Sequence, residues 1–518
     1  MDDLKQKTTR ALKWRFANVF GQVAIQLVVT CILARLLPIE AFGLIGMAMV
    51  FMGLVTVFSE VGMAPVLIQR ESISAEEIAH AYTISVLLGC LWAGCLFAIA
   101  PWIAAWFQAP ALIPIIQILS LTFLFSGLTL TTLATLQREL NFHRIFWIEL
   151  FSYLVGYGIV GITLAFQGAG AWSLAYALLA RSALQLVTAF VLARRWPSFG
   201  FRWSVARKLL GQGAGFSAVR MVLFAARNVD ALLIGRLLGT DALGLYNRSF
   251  QLSTVPATKL SGVLNTVLFP AYSRIQNDRV RLKTLFLGNL NSVVLVLFPM
   301  LAFLSVTGRE VITLLLGEKW EGAIFPFQML CLGAMPLIVI NICEILAQSC
   351  GSIRGSLARH GIYLAGISMT VFYLIPYGLP AVAMGVSGLL VVQWLLMGHL
   401  VVGLLICKLQ EFFAAHIPGV MLAVCTGLST ISIRGLMINE LGIASAERTV
   451  LGAASIFIPF YLIALAVIPD RYLSKQAIQV RTQIKRAIRK TIDANIICTA
   501  PVSIRRIYTK TMTMLKWK

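Results

Sequence analysis

Residues 35–44 read RLLPIEAFGL, and residues 236–245 read RLLGTDALGL. Six of the ten positions are identical without a gap, and Glu40 faces Asp241 as a conservative match. The copies stand 201 residues apart. Leucine-rich sequence produces chance matches, so the meaning of the repeat depends on what separates its copies.

Apolar windows separate them. The chain has 518 residues, 59 % hydrophobic and 12 % charged, against about 25 % charged in an ordinary soluble domain. So little polar surface cannot cover several soluble domains. A bilayer span needs ~20 mostly apolar residues, and such windows recur along nearly the whole chain. They predict an all-α polytopic membrane protein of about fourteen spans, near 15–37, 42–68, 80–101, 111–136, 145–166, 170–193, 209–235, 243–269, 284–307, 325–350, 357–377, 379–407, 412–436 and 448–468. The basic start MDDLKQKTTRALKWRF runs into apolar residues as far as Leu37. That is too long for a signal-peptide core and has no small-x-small cleavage site, so it reads as a retained first span.

With the first span leaving the cytoplasm, 32 of the 43 Lys and Arg fall on cytoplasmic segments, seven on outer connections and their flanks, and four inside spans. That is the asymmetry of the positive-inside rule; both termini are then cytoplasmic. The net charge of +22 is accounted for by membrane topology, and no nucleic-acid partner is required. In RYLSKQAIQVRTQIKRAIRKTI, from Arg471, apolar residues recur at helical spacing among Lys and Arg. The pattern predicts a basic amphipathic helix on anionic inner-leaflet lipids; docking to a cytoplasmic partner is the rival reading.

Six spans separate equivalent positions of the two decapeptides, an even number, so both copies point the same way across the membrane. The chain therefore divides into a cytoplasmic N-terminus (1–14), a six-helix lobe (15–193), a cytoplasmic linker (194–208), a second six-helix lobe (209–407), two added helices (408–468) and a basic tail (469–518). Parallel repeats of this kind are a common transporter design, with substrate held near the midplane between the halves.

The segments LARLLPIEAFGL, SEVGMAPVLIQR, LQRELNF, LLIGRLLGTDALGLYNRS, FPAYSRIQND and LLLGEKW, in this order, resemble the polysaccharide-export flippases of the multidrug/oligosaccharidyl-lipid/polysaccharide exporter superfamily. The resemblance covers about residues 10–410. It implies a V-shaped two-lobe transporter in the bacterial inner membrane, carrying undecaprenyl-pyrophosphate-linked sugar repeat units to the outer leaflet for lipopolysaccharide, exopolysaccharide or capsule synthesis. Polymerase or chain-length machinery would be its protein partners. A peptidoglycan lipid flippase and a drug/cation antiporter of the same superfamily remain as alternatives. A membrane glycan polymerase is disfavoured, because the longest outer connection, near GREVITLLLGEKWEGA, amounts to one short amphipathic helix with Trp320 as an interface anchor.

Ionisable residues at membrane depth cost roughly 2.5–3.5 kcal/mol on insertion scales and need a reason. In GFSAVRMVLFAARNVDALLIGR, Arg220 and Arg227 are two turns apart on one face, with Asp230 three beyond Arg227. As cavity residues the arginines suit pyrophosphate, whose oxygens a guanidinium fork holds in pairs. As structural residues, Arg227 pairs with Asp230 and Arg220 snorkels outward. Lys259, just after Pro256, and Arg181, midway along the sixth span, are further candidate phosphate ligands. Asn341, Glu344 and Gln348 form a polar stripe, either interhelical glue or, through Glu344, a site coupling export to a proton or sodium gradient. Asp230 and Glu60 are the other candidates for that coupling.

Several features lead nowhere chemically. GYGIVG at 156–161 falls mid-span without a preceding strand, so it reads as small residues for close helix packing. The nine cysteines form no CxxC pair and no zinc spacing, no Walker A lysine motif is present, and neither metal nor cofactor is expected. His80, His143, His360 and His416 map to cytoplasmic connections and His399 to a span, as structural residues.

Overall fold

A computed structural model describes residues 21–59, 67, 74–139, 141–194, 198–200, 202, 221–439, 478 and 482. The last expected span, the basic tail apart from residues 478 and 482, Arg220 and Glu60 lie outside the described residues. Within them all regular structure is helical, and nine stretches are long and apolar enough to cross a membrane.

In the first part of the chain the helices are Gly21–Leu36 (α1), Ile39–Ser59 (α2), Ala75–Phe107 (α3), Leu112–Ser120 (α4), Thr122–Arg138 (α5), Phe142–Phe166 (α6) and Ala171–Ala193 (α7). A capping box opens α3: Glu77 N–H donates to Ser74 Oγ at 3.1 Å, and Ser74 N–H donates to the Glu77 carboxylate at 3.0 Å. Two orphan amide donors are satisfied this way. Residues 154–161 of α6 are wound as a π-helix. There the glycines let α6 press on α7. A Cβ at Gly156 would lie 2.8 Å from the Arg181 backbone, and one at Gly161 would lie 3.0 Å from Ala177 Cβ.

The helices continue with residues 221–237 (α8), Gly239–Arg274 (α9), Arg279–Val306 (α10), Gly308–Leu316 (α11), Ile324–Ser349 (α12), Ile353–Leu374 (α13), Gly378–Leu405 (α14), Leu409–Ala414 (α15) and Ile417–Asn439 (α16). The described chain forms two compact units. One contains residues up to 271 together with 307–401; the other contains 272–306 with the described residues from 402 onward. In the second unit α10 lies along α16. A Cβ at Gly419 would come 2.3 Å from Val294 Cγ1. Lys283 pairs with Glu411 at 2.6 Å, and Asn291 Nδ2 donates to the Ala415 carbonyl at 3.0 Å.

The repeated decapeptides meet within the first unit. Each forms the break between two helices, and its third residue closes the preceding helix: Leu37 N–H donates to Leu33 O at 2.9 Å, and Leu238 N–H to Ile234 O at 2.8 Å. The ninth residue of each copy then abuts the fifth residue of the other. A Cβ on Gly43 would stand 1.9 Å from the Thr240 carbonyl oxygen, and one on Gly244 would stand 2.6 Å from the Ile39 carbonyl oxygen. A self-reciprocal contact of this kind is the signature of a two-fold relation.

The segment after α11 secures the same joint. Lys319 Nζ donates to the carbonyls of Arg35 and Leu37, at 2.9 and 2.6 Å, and Trp320 Nε1 donates to Ala34 O at 3.0 Å. Those are carbonyls that α1 leaves without helical partners, at the negative end of its dipole. Trp320 is fully buried and meets Phe42 edge-on, ring centroids 5.3 Å apart. The expectation of an interface anchor is corrected here. The indole's apolar face found a protein partner and its N–H a backbone carbonyl, so neither part faces headgroups.

Candidate functional site

A cavity of about 480 Å3 opens within the first unit, lined only by residues between Leu223 and Gln393. One face of α8 contributes Leu223, Ala226, Arg227 and Asp230, spaced at three and four residues as one helical stripe requires. The α9 face adds Thr258, Ser261 and Asn265, and α12 adds Asn341, Glu344 and Gln348. His360 and Tyr363 of α13 and Gln393 of α14 complete the polar lining.

Arg227 is exposed in this cavity and forms no ion pair or hydrogen bond among the described residues. Asp230, three residues on, is buried and engaged elsewhere. Its Oδ2 accepts from the Tyr246 hydroxyl at 2.5 Å and its Oδ1 from Ala231 N–H at 2.8 Å. The Arg227–Asp230 pair that spacing allows is therefore not formed, and the guanidinium is left facing open space with its donor fork unspent. Tyr363 lies within electrostatic reach of both groups.

Opposite lies a connected polar chain. Gln348 Nε2 donates to Glu344 Oε1 at 3.2 Å, His360 Nε2 meets Glu344 Oε2 at 2.9 Å, and Gln393 Nε2 meets His360 Nδ1 at 2.8 Å. Asn341 Nδ2 donates to Ser261 Oγ at 3.1 Å, tying α12 to α9. Of the expected stripe, then, Asn341 joins helices, while Glu344 belongs to a buried carboxylate–imidazole pair.

His360 is not on a connection but in the cavity wall, and sequence reasoning missed it. A signal was present. Glu344 and His360 each stand eight residues from Ser352, in the break between α12 and α13. Residues equidistant from the turn of an antiparallel helix pair face each other. His360 and Gln393 are likewise equidistant from the Pro376–Tyr377 turn, and Asp230 and Tyr246 from Leu238.

The other expected ligands are not gathered here. Lys259 follows cavity-facing Thr258, and one helical step of ~100° turns it off that face. Arg181 lies over the Tyr153 ring, 5.4 Å from its centroid, where Tyr153 and Tyr157 stack at 4.9 Å. Arg248 of α9 reaches the same tyrosines. Its guanidinium sits 4.4 Å above Phe42, and its Nη1 donates to Gln251 Oε1 at 2.5 Å. Arg248 was missed because nine residues of α9 precede it, ~13 Å of helix, and only the crossing of the two repeats shows how deep that is.

Comparison with known proteins supplies the family. A model of the family described as "Polysaccharide biosynthesis protein" matches residues 32–325, more than half the chain. The lipopolysaccharide biosynthesis protein WzxC of Escherichia coli is 30 % identical over 401 residues, covering 75 % of this chain and 79 % of WzxC. The succinoglycan biosynthesis transport protein ExoT of Rhizobium meliloti is 22 % identical over 86 % of this chain and 94 % of its own. Among solved structures, the lipid II flippase MurJ in an inward closed conformation superposes with a TM-score of 0.65, over 90 % of this chain and 98 % of MurJ, at 13 % identity. That likeness is one of fold. The chain belongs to the polysaccharide biosynthesis protein family and is a multi-pass membrane transporter, not an enzyme.

Proposed function

We propose that this protein exports oligosaccharide repeat units, carried on undecaprenyl pyrophosphate, across the bacterial inner membrane for surface polysaccharide synthesis, and that Arg227 holds the pyrophosphate. One observation carries the site assignment: a guanidinium at membrane depth that lines an open cavity while the nearest carboxylate in sequence, Asp230, is bound to Tyr246. An unpaired cation at membrane depth is costly, and an anionic ligand removes that cost. The planar fork of Arg227 suits two phosphate oxygens at once. A volume of about 480 Å3 falls in the usual ~300–1,000 Å3 range of ligand sites. It accommodates a head group rather than a whole repeat unit.

In this proposal, residues 15–193 and 209–407 act as two six-helix lobes that rock about the joint made by the decapeptides, and 408–468 supply two added helices. The reciprocal Gly43 and Gly244 contacts support that division. Both termini are cytoplasmic, the repeats lie at the outer face, and the tail binds anionic lipid. Arg181 acts at the shared tyrosine pair rather than beside Arg227. Export draws on an ion gradient, with Asp230 and Glu344 the candidate coupling groups.

The test is made in cells lacking the protein, by extracting lipid-linked oligosaccharide and assigning it to a leaflet. Complete repeat units held on the cytoplasmic leaflet, restored outward by the wild type and not by Arg227→Ala at equal membrane level, are expected. Repeat units reaching the outer leaflet without the protein would refute the flippase reading. Export by Arg227→Ala at the wild-type rate would remove the pyrophosphate role.

A further inference from the structure

The carboxylate–imidazole chain on the cavity wall has a property that interhelical glue does not need. The Gln393 amide faces His360 Nδ1 with its nitrogen, while its Oε1 is buried without a partner among the described residues. In that orientation the amide donates, so Nδ1 is unprotonated and the ring donates from Nε2 to Glu344. Amide nitrogen and oxygen exchange by a half-turn of the side chain. After it, Oε1 accepts from a protonated Nδ1 and the ring still donates to Glu344. The network therefore holds neutral imidazole and imidazolium in the same place without moving a helix. One proton changes the Glu344–His360 pair from net −1 to zero.

The charged and titratable groups around the pair are Arg227 and Asp230 of α8, Tyr246 of α9, which is bound to Asp230, Cys343 of α12 beside Glu344, and Tyr363 on α13 itself. The cavity-lining polar groups of α9, Thr258, Ser261 and Asn265, are neutral, as is Gln393 of α14. Arg227 is close enough to bear electrostatically on His360, and both line the one cavity.

We propose that Glu344, His360 and Gln393 form a proton-binding site that sets the anion affinity of Arg227, so that the cavity takes up a proton together with a diphosphate. The proposal rests on the assignment of Arg227 to pyrophosphate. With the pair at −1, Glu344 competes with an incoming phosphate for the field of Arg227. With His360 protonated, that competition ends and the cavity gains one positive charge. Linkage makes the effect reciprocal: the anion favours the proton as much as the proton favours the anion. Anion affinity is thus full at low pH and falls as pH rises through the titration of His360. Coupling of this kind is typically about 5- to 150-fold in affinity.

Removing either partner locks the site in opposite senses. His360→Gln retains a hydrogen-bond donor to Glu344 but removes the imidazole that takes up the proton. Its affinity is expected to stay at the weak, high-pH value. Glu344→Gln removes the negative charge, so with a neutral His360 the pair already carries the charge of the protonated wild type. Its affinity at high pH is expected to match or exceed the wild type's tight, low-pH value. A damaged fold would weaken both variants and could not produce a gain in one of them.

The experiment is calorimetric titration of inorganic pyrophosphate into the full chain in lipid nanodiscs, from about pH 5 to 9, the range spanning imidazole titration. Two buffers of different ionisation enthalpy give the number of protons taken up. Wild type, His360→Gln, Glu344→Gln and Arg227→Ala are compared, so the ligand's own titration is common to all. The expected result is proton uptake by the wild type in excess of both Glu344 and His360 variants, with His360→Gln flat at weak affinity and Glu344→Gln tight at high pH, where the wild type is weak. Arg227-dependent binding with the same pH slope and proton count in all three other proteins would overturn the proton site and leave the anion reading standing. Pyrophosphate binding that is absent from the wild type, or unchanged in Arg227→Ala, would overturn both.

Discussion

Replacing Gly43 with alanine places a methyl carbon 1.9 Å from the Thr240 carbonyl oxygen, 2.5 Å from its carbonyl carbon and 2.9 Å from its Cα. All three are backbone atoms, so no side-chain rotation relieves the clash. A carbon–oxygen contact of about 3.3 Å requires the two helix breaks to separate by about 1.4 Å. The equivalent change in the other copy, Gly244→Ala, starts at 2.6 Å from Ile39 O and requires about 0.7 Å. Overpacking of this kind costs about 1–3 kcal/mol, and only the state that keeps the joint closed bears it. The closed-to-open ratio should then fall about 5- to 150-fold, more for Gly43 than for Gly244. A single cysteine at Leu245, which packs against Gly322 at the joint, reports the change through an impermeant maleimide applied to right-side-out vesicles. Labelling is expected to rise and export to fall in the order wild type, Gly244→Ala, Gly43→Ala, at equal membrane level. Gly94→Ala, whose Cβ would meet nothing within 4 Å, serves as the neutral control. Wild-type labelling and export in Gly43→Ala would refute the reasoning, and the reverse order would refute its geometry.

Arg227→Lys keeps the charge and loses the fork; pyrophosphate affinity should fall at least about tenfold, since hydrogen bonds to charged groups contribute ~1.5–3 kcal/mol, and equal affinity would show that charge alone suffices. Tyr246→Phe removes the donor from buried Asp230 and should destabilise the protein by about 1–3 kcal/mol in thermal melts, with Asp230→Asn in that background recovering part of the loss. Gly156→Val drives α6 off the Arg181 backbone, and a lowered melting temperature should accompany it. Glu411→Gln breaks a half-exposed, solvent-screened pair with Lys283, and the melting temperature should stay close to that of the wild type.

Much of the architecture was legible before any coordinates. Membrane-length helices are legible because a bilayer admits only helices of a fixed length. Nine such stretches occur among the described residues, against fourteen spans expected along the whole chain. The reciprocal contact of the decapeptides gives physical content to a repeat that is visible as letters. The glycines of 156–161 were read as packing residues, and that is where α6 touches α7. Arg227, Asp230 and Glu344 were singled out because charge at membrane depth is costly wherever it falls. That argument uses one residue at a time, so it needs no tertiary knowledge.

What the sequence could not decide was which charges share a space. Arg227 and Asp230 had the spacing to pair, yet Tyr246 takes the carboxylate. Lys259 had the depth but sits off the cavity face of its helix. His360 looked like a solvated connection until α12 and α13 folded back on each other and brought it to Glu344. Periodicity along one helix fixes which residues share a face, and insertion cost fixes which residues need a partner. The choice among partners depends on the rotation and crossing of different helices, set by packing at contacts such as Gly43 against Thr240, which no single span encodes.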